Sequence, residues 1–260
     1  MTAPIPREIP GLPAVPVKRP ALLPSPVPAR AVMAPVRRPW AAAYRLTLAL
    51  AATASVTVLV LLGSPALALS HFATQSAALL ALVSFASARR SWTGRQPLPG
   101  AVTGAALLYA LITGLVHHLL LADTNPAFAF ALPDSTSVPA VIAAHTLHTA
   151  LPVAALLDWL ILTPPARTHL RQTATWMLYP LAYLTFSLAR GELLPTHPAR
   201  YLYPFLDVTQ HGYKGVLGNA LLLGLAFYAL AVLLVAVDHT RPNPVRRRPK
   251  TGFRLRAPVG

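Results

Sequence analysis

His145 and His148 stand three residues apart, with Asp158 further on, in a stretch over 138–163 that is otherwise apolar enough to cross a bilayer. Ionisable groups at membrane depth are costly and usually face a protein interior, a partner or a wet cavity. Residues three apart on a helix project from nearly the same side. An imidazole in such a place suits proton transfer to and from a reacting group, or ligation of haem. His117 and His118 close a second apolar run, Thr74 lies near the start of another, and the loop over 191–215 adds Tyr203, Asp207 and His211.

Each of these residues also has a plainer reading. A histidine or threonine in a membrane helix can serve only to hydrogen-bond a neighbouring helix or its own backbone. His117 and His118 sit where an aqueous interface is near, and Asp158, ten residues past His148 and beside Trp159, reads as an interfacial or packing group. Pro204 sets Tyr203 in an extended conformation. Aromatics in that loop also suit a membrane-surface belt. No P-loop, dinucleotide fingerprint, GxSxG elbow or HExxH motif occurs, so several enzyme classes lack their usual signatures.

The elements that must position these side chains follow from composition. The 260 residues are 55% hydrophobic and only 11% charged, which is the balance of an integral membrane protein. The net charge of +15 would suggest nucleic acid, but most of it lies in two tails and in short loops beside apolar runs, so a nucleic-acid partner is not expected. With no cysteine there are no disulfides, thiolate metal sites or thiol nucleophiles, and no metal or cofactor is expected.

Residues 1–39 hold eleven prolines, six Lys or Arg and one acid, the composition of a disordered tail whose basic residues can lie against anionic lipid headgroups. A second basic tail covers 239–260. Between them, 40–238 carries six apolar segments at about 43–62, 72–88, 101–121, 138–163, 173–190 and 216–237. Backbone groups in lipid must be satisfied internally, so these are helices. The second and fifth are short for a span of about 20 residues. Ala66-Leu67-Ala68 resembles a signal-peptidase site, but the long apolar run and Pro-rich leader before it are unlike a signal peptide.

With the N-terminus inside, 19 Lys or Arg fall on cytoplasmic segments and only Arg190, Arg200 and Lys214 outside. The positive-inside rule then gives an all-α integral membrane protein of the inner membrane, a six-transmembrane-helix bundle with both termini cytoplasmic. In that orientation His145 and His148 lie ~10 and ~15 Å into the fourth helix from its outer end. Thr74, His117, His118 and the 191–215 loop sit at similar depth, so polar groups from four regions are expected to converge on one outward-facing pocket.

Four motifs occur in order: His145-Thr-Leu-His148-Thr-Ala-Leu-Pro152, Leu156-Leu157-Asp158-Trp159, Tyr179-Pro180-Leu-Ala-Tyr183 and Tyr203-Pro204-Phe205-Leu206-Asp207. Over about 40–238 they resemble a bacterial family of six-span membrane proteins, which in turn resembles the animal androgen-induced and androgen-dependent membrane hydrolases. The resemblance implies a hydrolase with a threonine nucleophile and a histidine, acting in animals on fatty-acid esters of hydroxy fatty acids. The family histidine falls on His148, with His145 matching a second one. Relatives tend to read aromatic-Phe-Thr-x-Gln-Ser-Asn where this chain reads His71-Phe72-Ala73-Thr74-Gln75-Ser76-Ala77. Ungapped, the family threonine falls on Ala73, and Thr74 is one position late, ~100° around a helix. Ser70 and Ser76, three residues either side of Ala73, are alternative nucleophiles.

The resulting expectation is a lipid-ester hydrolase. His148 takes the proton of Thr74, and His145, His118 or Tyr203 help hold the oxyanion, with Asp207 nearby. A non-catalytic lipid-binding protein or transporter, and a haem-binding bundle, are the alternatives from other classes.

Overall fold

A computed structural model describes residues 37–121, 137–166, 168–197 and 200–243. The expected proline-rich tail, the loop before 137 and most of the C-terminal tail lie outside these residues. Among the described residues the regular elements are helices: α1 (Pro39–Leu62), the short α2 (Pro65–Ser70), α3 (Phe72–Thr93), α4 (Gly100–Leu121), α5 (Val138–Leu162), α6 (Arg171–Leu193) and α7 (Val208–Thr240). A single 3-10 turn, Pro204–Leu206, precedes α7.

The boundaries have local causes. Proline stands at the first turns of α1, α2 and α5, where its missing N–H costs nothing. Gly94 stops α3 by adopting φ 64°, a left-handed cap that returns its N–H to the Arg90 carbonyl. The Asp207 side chain caps α7 by accepting from the Thr209 N–H at 2.8 Å. That cap starts the helix eight residues before the apolar run at 216, and Gly212 (φ 64°) kinks the extra segment.

α1, α4, α5 and α7 are long and apolar enough to cross a membrane. α3 and α6, with 22 and 23 residues, are helices of comparable length whose ends carry more polar and charged side chains. The six long helices alternate in direction. At one end the Arg38 N–H bonds the Ser91 carbonyl, the Trp176 indole bonds the Ala101 carbonyl, and Thr168 bonds Asp238. The starts of α1, α4 and α6 therefore meet the ends of α3, α5 and α7. α1 lies closely on α3, and both helices bury small residues, Ala41, Ala49 and Ala52 on the one and Ala77 and Ala81 on the other, of the kind that let membrane helices approach. Ala66-Leu67-Ala68 lies within α2, with Leu67 and Ala68 buried.

The arginine-rich end is tied by two buried ion pairs. Arg45 donates Nε to Asp158 at 2.8 Å and its two terminal nitrogens to Ser91 and Thr163, joining α1, α3 and the end of α5. Asp238 accepts from Arg241 at 2.7 Å and from the Thr168 N–H at 3.0 Å. Arg241 also caps the end of α5: it donates to the carbonyls of Trp159 and Thr163 and lies 4.0 Å over the Trp159 ring. Arg38 takes the neighbouring Leu162 carbonyl at 2.6 Å. Asp158 is thus a packing group at the end remote from the histidines. Trp40 and Trp92 stand exposed at this same end.

Candidate functional site

Two prolines shape the helices that carry the site. Pro152 has no N–H for the carbonyl four residues back, that of His148. α5 there widens into a π-helical turn, Thr146–Ala150, so His148 projects from a bulge. Gly114 lets α4 close on the released carbonyl: a Cβ at that position would lie 3.1 Å from the His148 oxygen. Pro180 does the same to the Trp176 carbonyl in α6, and the Tyr109 hydroxyl donates to it at 3.0 Å. His117 also lies in a π-helical turn, His117–Leu121, at the end of α4.

The His148 Nδ1 bonds the Ala144 carbonyl at 2.9 Å. A carbonyl only accepts, so in the neutral ring Nδ1 carries the proton and Nε2 is the basic nitrogen. The ring is buried and stacks on His117, with centroids 4.1 Å apart and planes inclined by 21°. Ring lone pairs lie in the ring plane, so two rings stacked face to face do not hold one iron between them, and the geometry gives the haem alternative no support.

The start of α3 is pinned from three sides. His71 ends α2 in an extended conformation (φ −75°, ψ 136°), and its Nδ1–H donates to the Leu67 carbonyl at 2.9 Å. The Tyr183 hydroxyl donates to the Ser70 carbonyl and the Tyr179 hydroxyl to Gln75. Tyr203, extended at φ −132° and ψ 135° before Pro204, is buried with its ring stacked on Phe205 and edge-on to His71 and Tyr183. The N–H groups of Phe72 and Ala73, otherwise orphan donors at a helix start, interact with its hydroxyl oxygen. Burial pushes the His71 imidazole down to about 4 and the Tyr203 phenol up to about 12.

These groups border a cavity of about 450 Å³. Its polar end holds Ala73, Thr113, His117, His148, Tyr183 and Tyr203, while the remainder, between α6 and α7, is apolar. Thus α3, α4, α5 and the 191–215 loop each contribute a residue, and of the residues singled out in the sequence the cavity wall brings together His148, His117 and Tyr203.

The others lie elsewhere. Thr74 is fully buried, its hydroxyl has no hydrogen-bond partner, and Ala73 rather than Thr74 forms the wall. His145 is exposed, and His118, also exposed, bonds Thr149 at 2.9 Å. Asp207 is the cap of α7, and His211 is exposed on its first turn. Ser70 donates to the Ala66 carbonyl, and buried Ser76 bonds the Ala73 carbonyl and Thr113. Tyr183, the last residue of the third ordered motif, joins the wall as well, and Thr113 joins it without having been singled out. Thr113 precedes His117 by four residues, and that one-turn spacing was its available signal. Compared with family models, curated proteins and solved structures, the chain matches none, and the family resemblance rests on its ordered motifs alone.

Proposed function

We propose that the chain crosses the inner membrane six times with both termini cytoplasmic, and that its cavity holds an ester-bearing lipid which His148 helps to hydrolyse. The topology draws on the alternation of six long helices. It draws also on the gathering of Arg38, Arg45, Arg89, Arg90, Arg171 and Arg241 at the end where Trp40 and Trp92 are exposed. The observation that carries the chemistry is a buried, tautomerically fixed imidazole on the wall of an apolar cavity at membrane depth.

In this reading His148 Nε2 takes the proton from the attacking oxygen as it adds to the ester carbonyl. The carbon–alkoxy bond then breaks and the proton passes to the leaving alcohol. The Tyr203 hydroxyl, beside the Phe72 and Ala73 N–H groups, serves in this reading as an oxyanion donor. The attacking oxygen is either water or Thr74 Oγ1, after its turn rotates toward the cavity. With Thr74 an acyl-threonine forms, and water activated by His148 then cleaves it to release the acid and restore the hydroxyl. A second reading, lipid binding without catalysis, is favoured by the methyl group of Ala73 on the wall where the related family carries a hydroxyl.

The deciding experiment is hydrolysis of a branched fatty-acid ester by detergent-purified protein beside His148→Ala, Thr74→Ala and Ala73→Thr. Loss of about 100-fold or more in His148→Ala is expected, with Ala73→Thr at or above wild type. Loss in Thr74→Ala as well identifies the threonine as nucleophile; retention there assigns the attack to water. A wild type inert across ester classes leaves the lipid-binding reading.

A further inference from the structure

The described cavity wall contains no Asp, Glu, Lys or Arg. Its titratable side chains are two histidines and three tyrosines, and these histidines lie against each other. A phosphate or ammonium headgroup placed inside would lose its water and find no fixed counter-charge on the described wall. Among the described residues the wall therefore suits an uncharged molecule.

The cavity is also open on the side of α7. Leu217, Leu221, Leu225 and Tyr228 line it and are at the same time 55%, 73%, 66% and 43% exposed. At spacings of four, four and three residues they form one stripe along the helix. Gly224 sits in this stripe, and a Cβ there would meet nothing within 4 Å. Along the bundle the cavity runs from Leu121, the far end of α4, to Met177, six residues into α6 from the arginine-rich end, roughly 20 Å by helical rise. His117, His148, Thr113, Tyr183 and Tyr203 lie toward the Leu121 end, and Tyr228 is the further hydrogen-bonding side chain, on the α7 side. That is the outline of an acyl chain with one uncharged polar linkage at its head.

We infer that the cavity takes an uncharged acyl lipid directly from the bilayer, through the opening along α7. The inference rests on the membrane placement and lipid cavity proposed above and is independent of hydrolysis.

The test uses photoreactive diazirine probes of equal chain length on purified protein in nanodiscs: a monoalkylglycerol ether, the free fatty acid and a lysophosphatidylglycerol. The ether cannot be hydrolysed, so labelling reads binding alone. The ether is expected to label the peptide holding Leu217–Tyr228 about tenfold more than either anionic probe. Gly224→Leu, which fills the stripe and suits a helix better than glycine, should cut that labelling about tenfold. Leu221→Trp should act alike, whereas Gly218→Leu, equally unobstructed but off the cavity wall, should not. Equal or stronger labelling by the anionic probes overturns the inference, as does labelling that persists in a Gly224→Leu protein melting like wild type. Selective labelling without ester turnover removes the hydrolase reading and leaves this one standing; turnover with unselective labelling does the reverse.

Discussion

At the scale of single residues the site turns on one position in α3. Ala73 and Thr74 are adjacent, yet one lines the cavity and the other is sealed in helix packing with its hydroxyl unpartnered. The sequence showed the one-residue offset; which of the two faces the cavity depends on how α2 and the α6 tyrosines set the turn at His71. His71 carries a measurable consequence. Its folded pKa, about 4, lies below the ordinary 6.5, so the unfolded chain binds the extra proton between those values. Stability from this group is complete above about pH 6.5, falls as pH drops through the window, and is lost below about 4, a total of about 3 kcal/mol. Thermal unfolding in detergent should show a lower Tm at pH 4.5 than at 7.5, with a flatter profile in His71→Gln. An unchanged slope in that variant would assign the acid sensitivity to another group.

Among the elements, hydropathy marks α1, α4, α5 and α7 as long and apolar enough to span, while α3 and α6 were legible as shorter apolar runs inside helices with polar ends. Their ends were less so, since caps such as Gly94 and Asp207 and the kink at Gly212 act through backbone geometry. The π-helical turns explain why His145 and His148 part company. A helical wheel puts them on one face, but the wider turn begins at Thr146, between them, and only His148 reaches the cavity. α1 and α5 are coupled through Arg45 and Asp158, whose side chains are 6% and 16% exposed. Removing one partner strands a buried charge, so Asp158→Ala should cost about 3–5 kcal/mol, whereas Arg45→Met with Asp158→Leu should restore most of it. Guanidinium or heat titration of the three proteins checks this; a double variant no more stable than Asp158→Ala would mean that the stranded Arg45 charge is not the source of the loss.

At the scale of the whole molecule, the alternation of the helices brings Arg38, Arg45, Arg89, Arg90, Arg171 and Arg241 to one end, and the proposed orientation sets that end in the cytoplasm. Which helices are neighbours was not legible, because an apolar run carries no address. The contacts that fix it are single bonds from side chains to carbonyls, such as Tyr44 to Ala154 and Trp176 to Ala101. The chain has no cysteine, so each introduced one reports alone. On intact cells a membrane-impermeant maleimide should label Thr196→Cys and spare Gln96→Cys until the cells are opened. The reverse pattern would invert the proposed orientation.

The arginine caps on α5 also have a consequence in time. The carbonyls of Trp159, Thr163 and Pro164 wait for Arg241, which lies 82, 78 and 77 residues later in the chain, whereas Arg38 at Leu162 was made 124 residues earlier. At typical synthesis rates that wait is roughly 4–16 s. During it the end of α5 stands half-capped, and α7 completes it. A nascent chain stalled before Arg241 therefore presents an unfinished helix end.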